Sequence, residues 1–336
     1  MGAKWLCDGK VNARMHAQVM SFEGMRAGAV DDWASRVKAW RQLVEDCGRK
    51  PSRGRVHGLR VATLRLETEL ERWLAEADVA DPGRLAATRW MKHAHRLRDA
   101  LKGVREADVN LGVLAAMRGT GDARRKMQPR MCSDCCVECR KLVRRLERTR
   151  KEAAAELSAV LEKWNRRHVK LDHELETALG PVMGQRARPG ADDVHRMVEA
   201  IVRDFPVLAA ENLHEYRKRL KEARYVADLG AETDAVMRRQ TAILSQMQTV
   251  AGEWHDWEAL AKVAERELGT RKRELKLVEM LEIVAEAKLS KALSYCRRKT
   301  ARLLRHGVEA EAETLPMKKP LQGAEASTLP NARRVG

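Results

Sequence analysis

Proline interrupts this 336-residue chain at nine points only, at positions 51, 82, 129, 181, 189, 206, 316, 320 and 330. A proline inside a helix removes a backbone donor and clashes with the preceding turn, so the proline-free stretches are where long helices can form. Those stretches are rich in Ala, Leu, Glu, Lys and Arg, the strong helix formers. No alternating apolar–polar run bounded by turn residues stands out, and strands are expected to be absent or trivial. The fold class read from this is all-α, with long helices. In the first half, helices are predicted over Asp31–Cys47, Ser52–Ala77, Asp81 to about Lys102, a short stretch after Asp108, and one very long segment from about Ser133 to Thr177. The second half reads as Asp192–Asp204, Pro206–Leu229, Glu232–Ala251, Asp256–Leu268 and Thr270–His306.

The segment from Gly180 to Gly190 holds two prolines and three glycines and reads as a linker. The expected organisation is an N-terminal arm over 1–29, a first helical half over 30–179, a linker over 180–191, a second helical half over 192–310 and a flexible tail over 311–336.

Charge narrows the partner. Sixty-five Lys and Arg against forty-eight Asp and Glu leave +17, which points to an anionic ligand without naming it. Hydrophobic residues at 44 % suffice for buried cores and exclude wholesale disorder. Aromatic residues at 4 % are too few for a platform that stacks single-stranded bases. No apolar run reaches membrane-spanning length. The first residues lack a signal-type apolar core, and Leu6 stands where a myristoylation signal needs Ser or Thr. Seven cysteines, an odd number, argue against a secreted disulfide framework. The expected location is cytoplasmic.

Two elements recur in order. Val56-His-Gly-Leu-Arg60 opens a basic helix in the first half, and Leu213-His-Glu-Tyr-Arg217 opens another in the second, continued by Lys218, Lys221, Arg224 and Tyr225. Each is followed by a second signature, Val104-Arg-Glu-Ala-Asp-Val109 in one half and Gly252-Glu-Trp-His-Asp-Trp257 in the other. This ordered pair resembles the CHAD family, the conserved-histidine α-helical domains, over about residues 30–307. The resemblance implies two helical bundles of about four helices each, related by pseudo-two-fold symmetry. It further implies a binding module for inorganic polyphosphate, with basic side chains lining a cavity or groove between the bundles, and so an association with polyphosphate granules. Departures from the family pattern fall mainly in the first half: Leu64 and Glu67 stand where arginines are usual, Glu106 replaces an Asp, and Gly103 is displaced by one. In the second half Glu222 replaces an Arg. The first half is therefore expected to hold phosphate more weakly.

Helical geometry supports an anion site independently. At roughly 100° per residue, His214, Arg217, Lys218, Lys221 and Arg224 share one face, where like charges repel unless something anionic relieves them. Arg53, His57 and Arg60 cluster likewise until Leu64 interrupts the stripe. Two more basic faces, Arg140 to Lys151 and Lys291 to Arg305, are candidates to complete a ring. Arginine suits phosphate because its planar fork gives two parallel charge-assisted bonds. The expected polyphosphate ligands are His57, Arg60, Arg65, Arg105, Arg144, Arg148, His214, Arg217, Lys218, Lys221, Arg224, Arg298 and Arg302. The competing readings are ordinary solvated faces, a nucleic-acid-binding surface, and a basic surface for acidic proteins.

Other chemistry is sparse. Cys132, Cys135, Cys136 and Cys139 form C-x-x-C-C-x-x-C, but one helix spreads them along roughly 10 Å, too far for four sulfurs to share one tetrahedral ion. Buried apolar thiols, a metal site and a redox role all stand as readings, the first favoured. No phosphate loop, H-E-x-x-H or G-x-S-x-G occurs, so no enzyme is expected. Asp108 and Asp256 read as arginine partners or caps, with Mg²⁺ held beside phosphate as the alternative. His93 and His168 read as core histidines bonded to backbone carbonyls.

Overall fold

The structure, a computed structural model, describes residues 33–118, 133–185, 188–231, 234–269 and 276–314. All regular structure among them is helical: α1 Trp33–Arg49, α2 Arg53–Glu76, α3 Gly83–Arg118, α4 Ser133–Lys163, α5 Val169–Gln185, α6 Ala191–Asp204, α7 Leu213–Gly230, α8 Ala235–Leu268 and α9 Lys276–Thr314. The arm over 1–29, the break at Gly119–Gly121, Cys132 and the tail beyond 314 lie outside the described residues, as do the side chains of Cys135 and Cys136.

Helix starts follow local chemistry. Ser52 caps α2 by accepting from the Arg55 amide at 3.4 Å, and Asp81 Oδ1 accepts from the Gly83 amide at 2.7 Å where α3 begins. Asp234 does the same for α8, accepting from Val236 and Met237. The stop of α8 is Gly269, whose φ of +127° few other residues adopt.

The helices run longer than the sequence patterns predict. The expected break after Lys102 is absent because Leu101, Val104, Ala107 and Leu114 carry the buried stripe of α3 onward. Gly252 likewise fails to divide α8, since Met247, Ala251, Trp254 and Leu260 keep one face buried. The predicted linker is shorter, with α5 continuing through Gly180 and Pro181 as Leu179 and Met183 bury themselves. Helix α7, in contrast, begins at Leu213 and not at Pro206. Asn212 closes a turn there, its Oδ1 accepting from the Ala209 amide and its Nδ2 donating to the Val207 carbonyl, both at 2.8 Å.

The long segment from Ser133 stays helical to Gln185, with one five-residue π-helical turn at Trp164–His168. Buried residues flank that turn on both sides. Leu157, Leu161 and Trp164 face inward, then Asp172, Leu175 and Leu179. Trp164 at the start of the π turn and Asp172 one turn beyond its end both face inward across it. The inward groups meet in a tryptophan cluster: Trp40 packs edge-on against Trp90 at 5.2 Å and Trp164 at 5.1 Å between ring centroids. Asp172, 1 % exposed, accepts from the Trp90 indole at 2.9 Å and the Trp164 indole at 3.3 Å.

Three apolar cores result. One joins α1–α5 around the tryptophans, a second joins α6–α9 around Leu220, Leu244 and Met247, and a third spans both halves. This last core packs Leu114, Cys139, Leu142 and Leu146 from the first half against Leu260, Ala264, Leu277 and Leu281 from the second. Across the seam α2 touches α7, α3 touches α8, and α4 touches α8 and α9.

Candidate functional site

The seam between α2 and α7 is where the two basic repeats meet. Asp228 of α7 lies between them, its Oδ2 3.0 Å from Arg224 Nη1 on its own helix and 3.6 Å from Arg65 Nη2 on α2. Helix α3 adds Arg105, and α8 adds His255 and Asp256.

A patch of positive charge with little compensation lies beside that bridge. Among the described residues Arg53, Arg60, Arg105, Arg217 and Lys221 have no carboxylate within 4 Å. Their mutual influence is plain in their ionisation. Burial pushes the Lys221 ammonium down to about 8, and Arg60, Arg217 and Arg98 push the same way. From the ordinary value of 10.5, that corresponds to on the order of 3 kcal/mol against the charged form. Arg105 is lowered by burial and then by Arg53, with Asp256 opposing. Arg217 is lowered by burial, again with Asp256 opposing and Arg60 reinforcing. The Nε atoms of Arg60 and Arg217 are buried with no hydrogen-bond partner. Unspent donors on buried guanidinium groups are costly, and an anion with several acceptor oxygens would satisfy them.

Asp256 is the carboxylate that acts on both Arg105 and Arg217. Burial raises it to about 6 even though Arg105 and Arg217 favour its charged form. Among the described residues Asp256 forms no ion pair within 4 Å, and its influence on Arg105 and Arg217 is a longer-range charge interaction. Asp108 is an arginine partner outright, accepting from Arg150 Nε at 2.6 Å. The His214 ring lies 5.0 Å from that of His255. Both imidazoles are lowered by burial and by nearby cations, His255 to about 4.

Backbone space matters at one point. A Cβ on Gly112 of α3 would lie 2.9 Å from Arg53 Nη2, so the glycine lets the guanidinium rest on the helix.

Of the expected ligands, the structure gathers Arg60, Arg65, Arg105, His214, Arg217, Lys221 and Arg224 at this seam. Two of these, Arg65 and Arg224, already share Asp228. His57 is half-buried on α2, one turn after Arg53. Lys218 is exposed and paired with Glu215 at 2.7 Å. Glu67 turns inward to accept from Arg98 at 2.6 Å. Arg144 and Arg148 do not join: counting roughly 100° per residue, they and Arg140, Lys141 and Lys151 centre about 180° from the buried stripe Cys139, Leu142 and Leu146. Arg298 and Arg302 are exposed on α9, at roughly 100° from its buried stripe Ala292, Cys296 and Leu303. The expected ring of four basic faces is therefore a two-helix seam backed by α3 and α8. The sequence reading left out Arg53, Arg98 and His255 as site members. Arg53 sits one turn before His57, and His255 lies in the second signature of its half, which is the signal that marks them.

Among the described residues no group of three or more His, Cys, Asp or Glu gathers where it could hold a metal ion. Cys139 is 1 % exposed in the third core, as an apolar thiol would be. No helix among the described residues is long and apolar enough to cross a membrane.

A family model, CHAD domain, matches residues 26–265. That range holds the seam helices α2, α3 and α7 and the site portion of α8. Comparison with curated proteins and with solved structures finds no match.

Proposed function

The chain belongs to the CHAD family, and from that premise we propose that it binds inorganic polyphosphate, without catalysis, at the seam between α2 and α7. The observation that carries the reading is the set of five cations, Arg53, Arg60, Arg105, Arg217 and Lys221, held together with no carboxylate in ion-pair contact among the described residues. Folding them side by side is unfavourable in the empty protein, and a dense linear anion would reverse the sign of that interaction. Arg53, Arg60 and Arg105 would serve one flank of the chain, Arg217 and Lys221 the other. His214 and His255 would stand beside them as neutral donors or, with phosphate near, as cations. The two repeats contribute from facing helices, in keeping with the pseudo-two-fold arrangement that the order α2–α7, α3–α8 and α4–α9 suggests. In a cell that stores polyphosphate, such binding would carry a cytoplasmic protein to the granules.

The test is a competition. Long-chain polyphosphate and duplex DNA, matched in phosphate concentration, are titrated against one labelled polyphosphate. Polyphosphate should displace the label at far lower concentration, and log K should fall against log salt with a slope of about −3 to −4 for five phosphate contacts. Equal displacement by DNA would favour a nucleic-acid surface, and a flat salt response would remove the polyanion reading.

A further inference from the structure

We propose a second anion site, built for a phosphate group, around the stacked histidines His93 of α3 and His168 of the π-helical turn. It rests on different residues from the seam and does not depend on how the seam functions. On α3, His93 lies roughly 120–140° round the helix from Arg98 and Arg105, and so faces away from the seam.

Neither histidine is the carbonyl-bonded core residue that the sequence suggests. Both are half-exposed, and their rings stack at 3.9 Å between centroids, 29° apart in plane. The Trp164 ring lies 5.7 Å below His168. The π turn creates this meeting. In it the backbone bonds residues five apart, as Val169 N–H does with the Trp164 carbonyl, and Trp164 stays buried while His168 reaches the surface.

Cations on three elements act on the pair. Helix α3 contributes Lys92 and Arg96, α4 contributes Lys163, and the π turn contributes Arg167. Among the described residues none of these four has a carboxylate within ion-pair reach. Two carboxylates adjoining the π turn in the chain are occupied: Asp172 of α5 accepts from the indoles of Trp90 and Trp164, and Glu162 holds Arg166 at 2.6 Å. Burial, then Arg96, Lys92 and Lys163, keep His93 below its ordinary value, and burial, then His93, Lys163, Arg167 and Arg96, do the same for His168, so the two rings stack as neutral groups.

The chemistry of the ligand follows. Stacked rings do not converge their nitrogens on one point, and four cations repel a metal ion, so a metal is disfavoured. A dianion reverses both terms. It offers oxygens to Lys92, Arg96, Lys163 and Arg167, and it draws protons onto the imidazoles, converting them into two further charged donors. A phosphate group has the charge and oxygen count for this.

The full-length chain, carrying Arg217→Ala and Lys221→Ala to silence the seam, is labelled at histidine and followed by NMR. His93→Gln and His168→Gln assign the two ring resonances. Orthophosphate and tripolyphosphate are added at matched ionic strength against chloride. The titration midpoints of His93 and His168 should rise by about one pH unit, a tenfold preference for the charged ring, and Arg96→Ala with Arg167→Ala should abolish the rise. A stronger response to tripolyphosphate identifies a chain end as the source of the phosphate; an equal response to both identifies free phosphate. Midpoints unmoved by either, or moved equally by chloride, overturn the proposal. So does a rise that survives in the Arg96/Arg167 variant, provided circular dichroism reports wild-type helicity throughout.

Discussion

Asp228 Oδ2 lies 3.0 Å from Arg224 and 3.6 Å from Arg65, so a single carboxylate ties the two halves of the chain across their basic seam. It also withholds both guanidinium groups from any other anion. Along α7 the order is His214, Arg217, Lys221, Arg224, Asp228, and the carboxylate ends the run of cations roughly 20 Å from where it starts. Asp228→Asn should raise polyphosphate affinity several-fold by releasing Arg65 and Arg224. Arg224→Ala should matter little in the native chain and clearly more when combined with Asp228→Asn. Calorimetric titration of the native chain, the two single variants and the double variant measures that coupling, and additive effects would mean that Asp228 is neutral to binding.

Arg217→Ala with Lys221→Ala should weaken polyphosphate binding most. Each charge-assisted bond lost from a desolvated site costs about 1.5–3 kcal/mol. Arg60→Ala with Arg65→Ala should cost less, because Arg65 is already engaged with Asp228. Arg144→Ala with Arg148→Ala should be nearly silent, since both point away from the bundle. Equal losses from the first two doubles would contradict the asymmetry between the halves.

Binding should tighten as pH falls from about 8 to about 6. Asp256 sits near 6 in the empty protein, and phosphate beside it would raise it further, so binding takes up a proton in that window. Lys221, near 8 when empty, would be raised by phosphate too, and its proton uptake weakens binding as pH climbs past 8. The histidines contribute lower down, since His255 begins near 4. Asp256→Asn should flatten the response between 6 and 8 while increasing affinity at pH 8. His57→Gln with His214→Gln should leave most of it. The opposite ranking would return the proton linkage to the histidines.

Arg98→Ala should destabilise the fold by about 3 kcal/mol, because it leaves Glu67 charged and buried without its partner. Burial already holds Glu67 near 7. With its folded value raised above the unfolded one, stability falls as pH rises from about 4.5 to 7 and recovers on acidification. Without Arg98 the folded value rises further, so the loss of stability should continue above about pH 7 and the gap between denaturant midpoints at about pH 5 and about pH 8 should widen.

How far the sequence reaches depends on the range of the interaction. Helix class and most starts are local, and Ser52, Asp81 and Asn212 announce them, although Asn212 overrules Pro206 as the place where α7 begins. The basic face of α7 follows from spacing alone. Whether a basic face turns toward a site or toward solvent does not, because Arg144 and Arg217 look alike until the buried stripe of each helix is known. Arg65 looks like a ligand because Asp228 is far from it in the chain, whereas the Arg224–Asp228 pair is four residues apart on one helix and follows from spacing. The π turn leaves no mark in the spacing of apolar residues, and the meeting of His93 and His168 is hidden with it.

The third core bears on how this polypeptide tolerates being cut. Leu114, Cys139, Leu142 and Leu146 are fully or almost fully withdrawn from water by Leu260, Leu277 and Leu281, so the apolar weld between the halves does not rely on the peptide that connects α5 to α6. Two separately synthesised fragments, parted between those helices, retain a reason to find each other. Their reassembly would rebuild the Arg65–Asp228 bridge with one partner on each fragment of a noncovalent complex, and the basic seam would re-form without a continuous backbone.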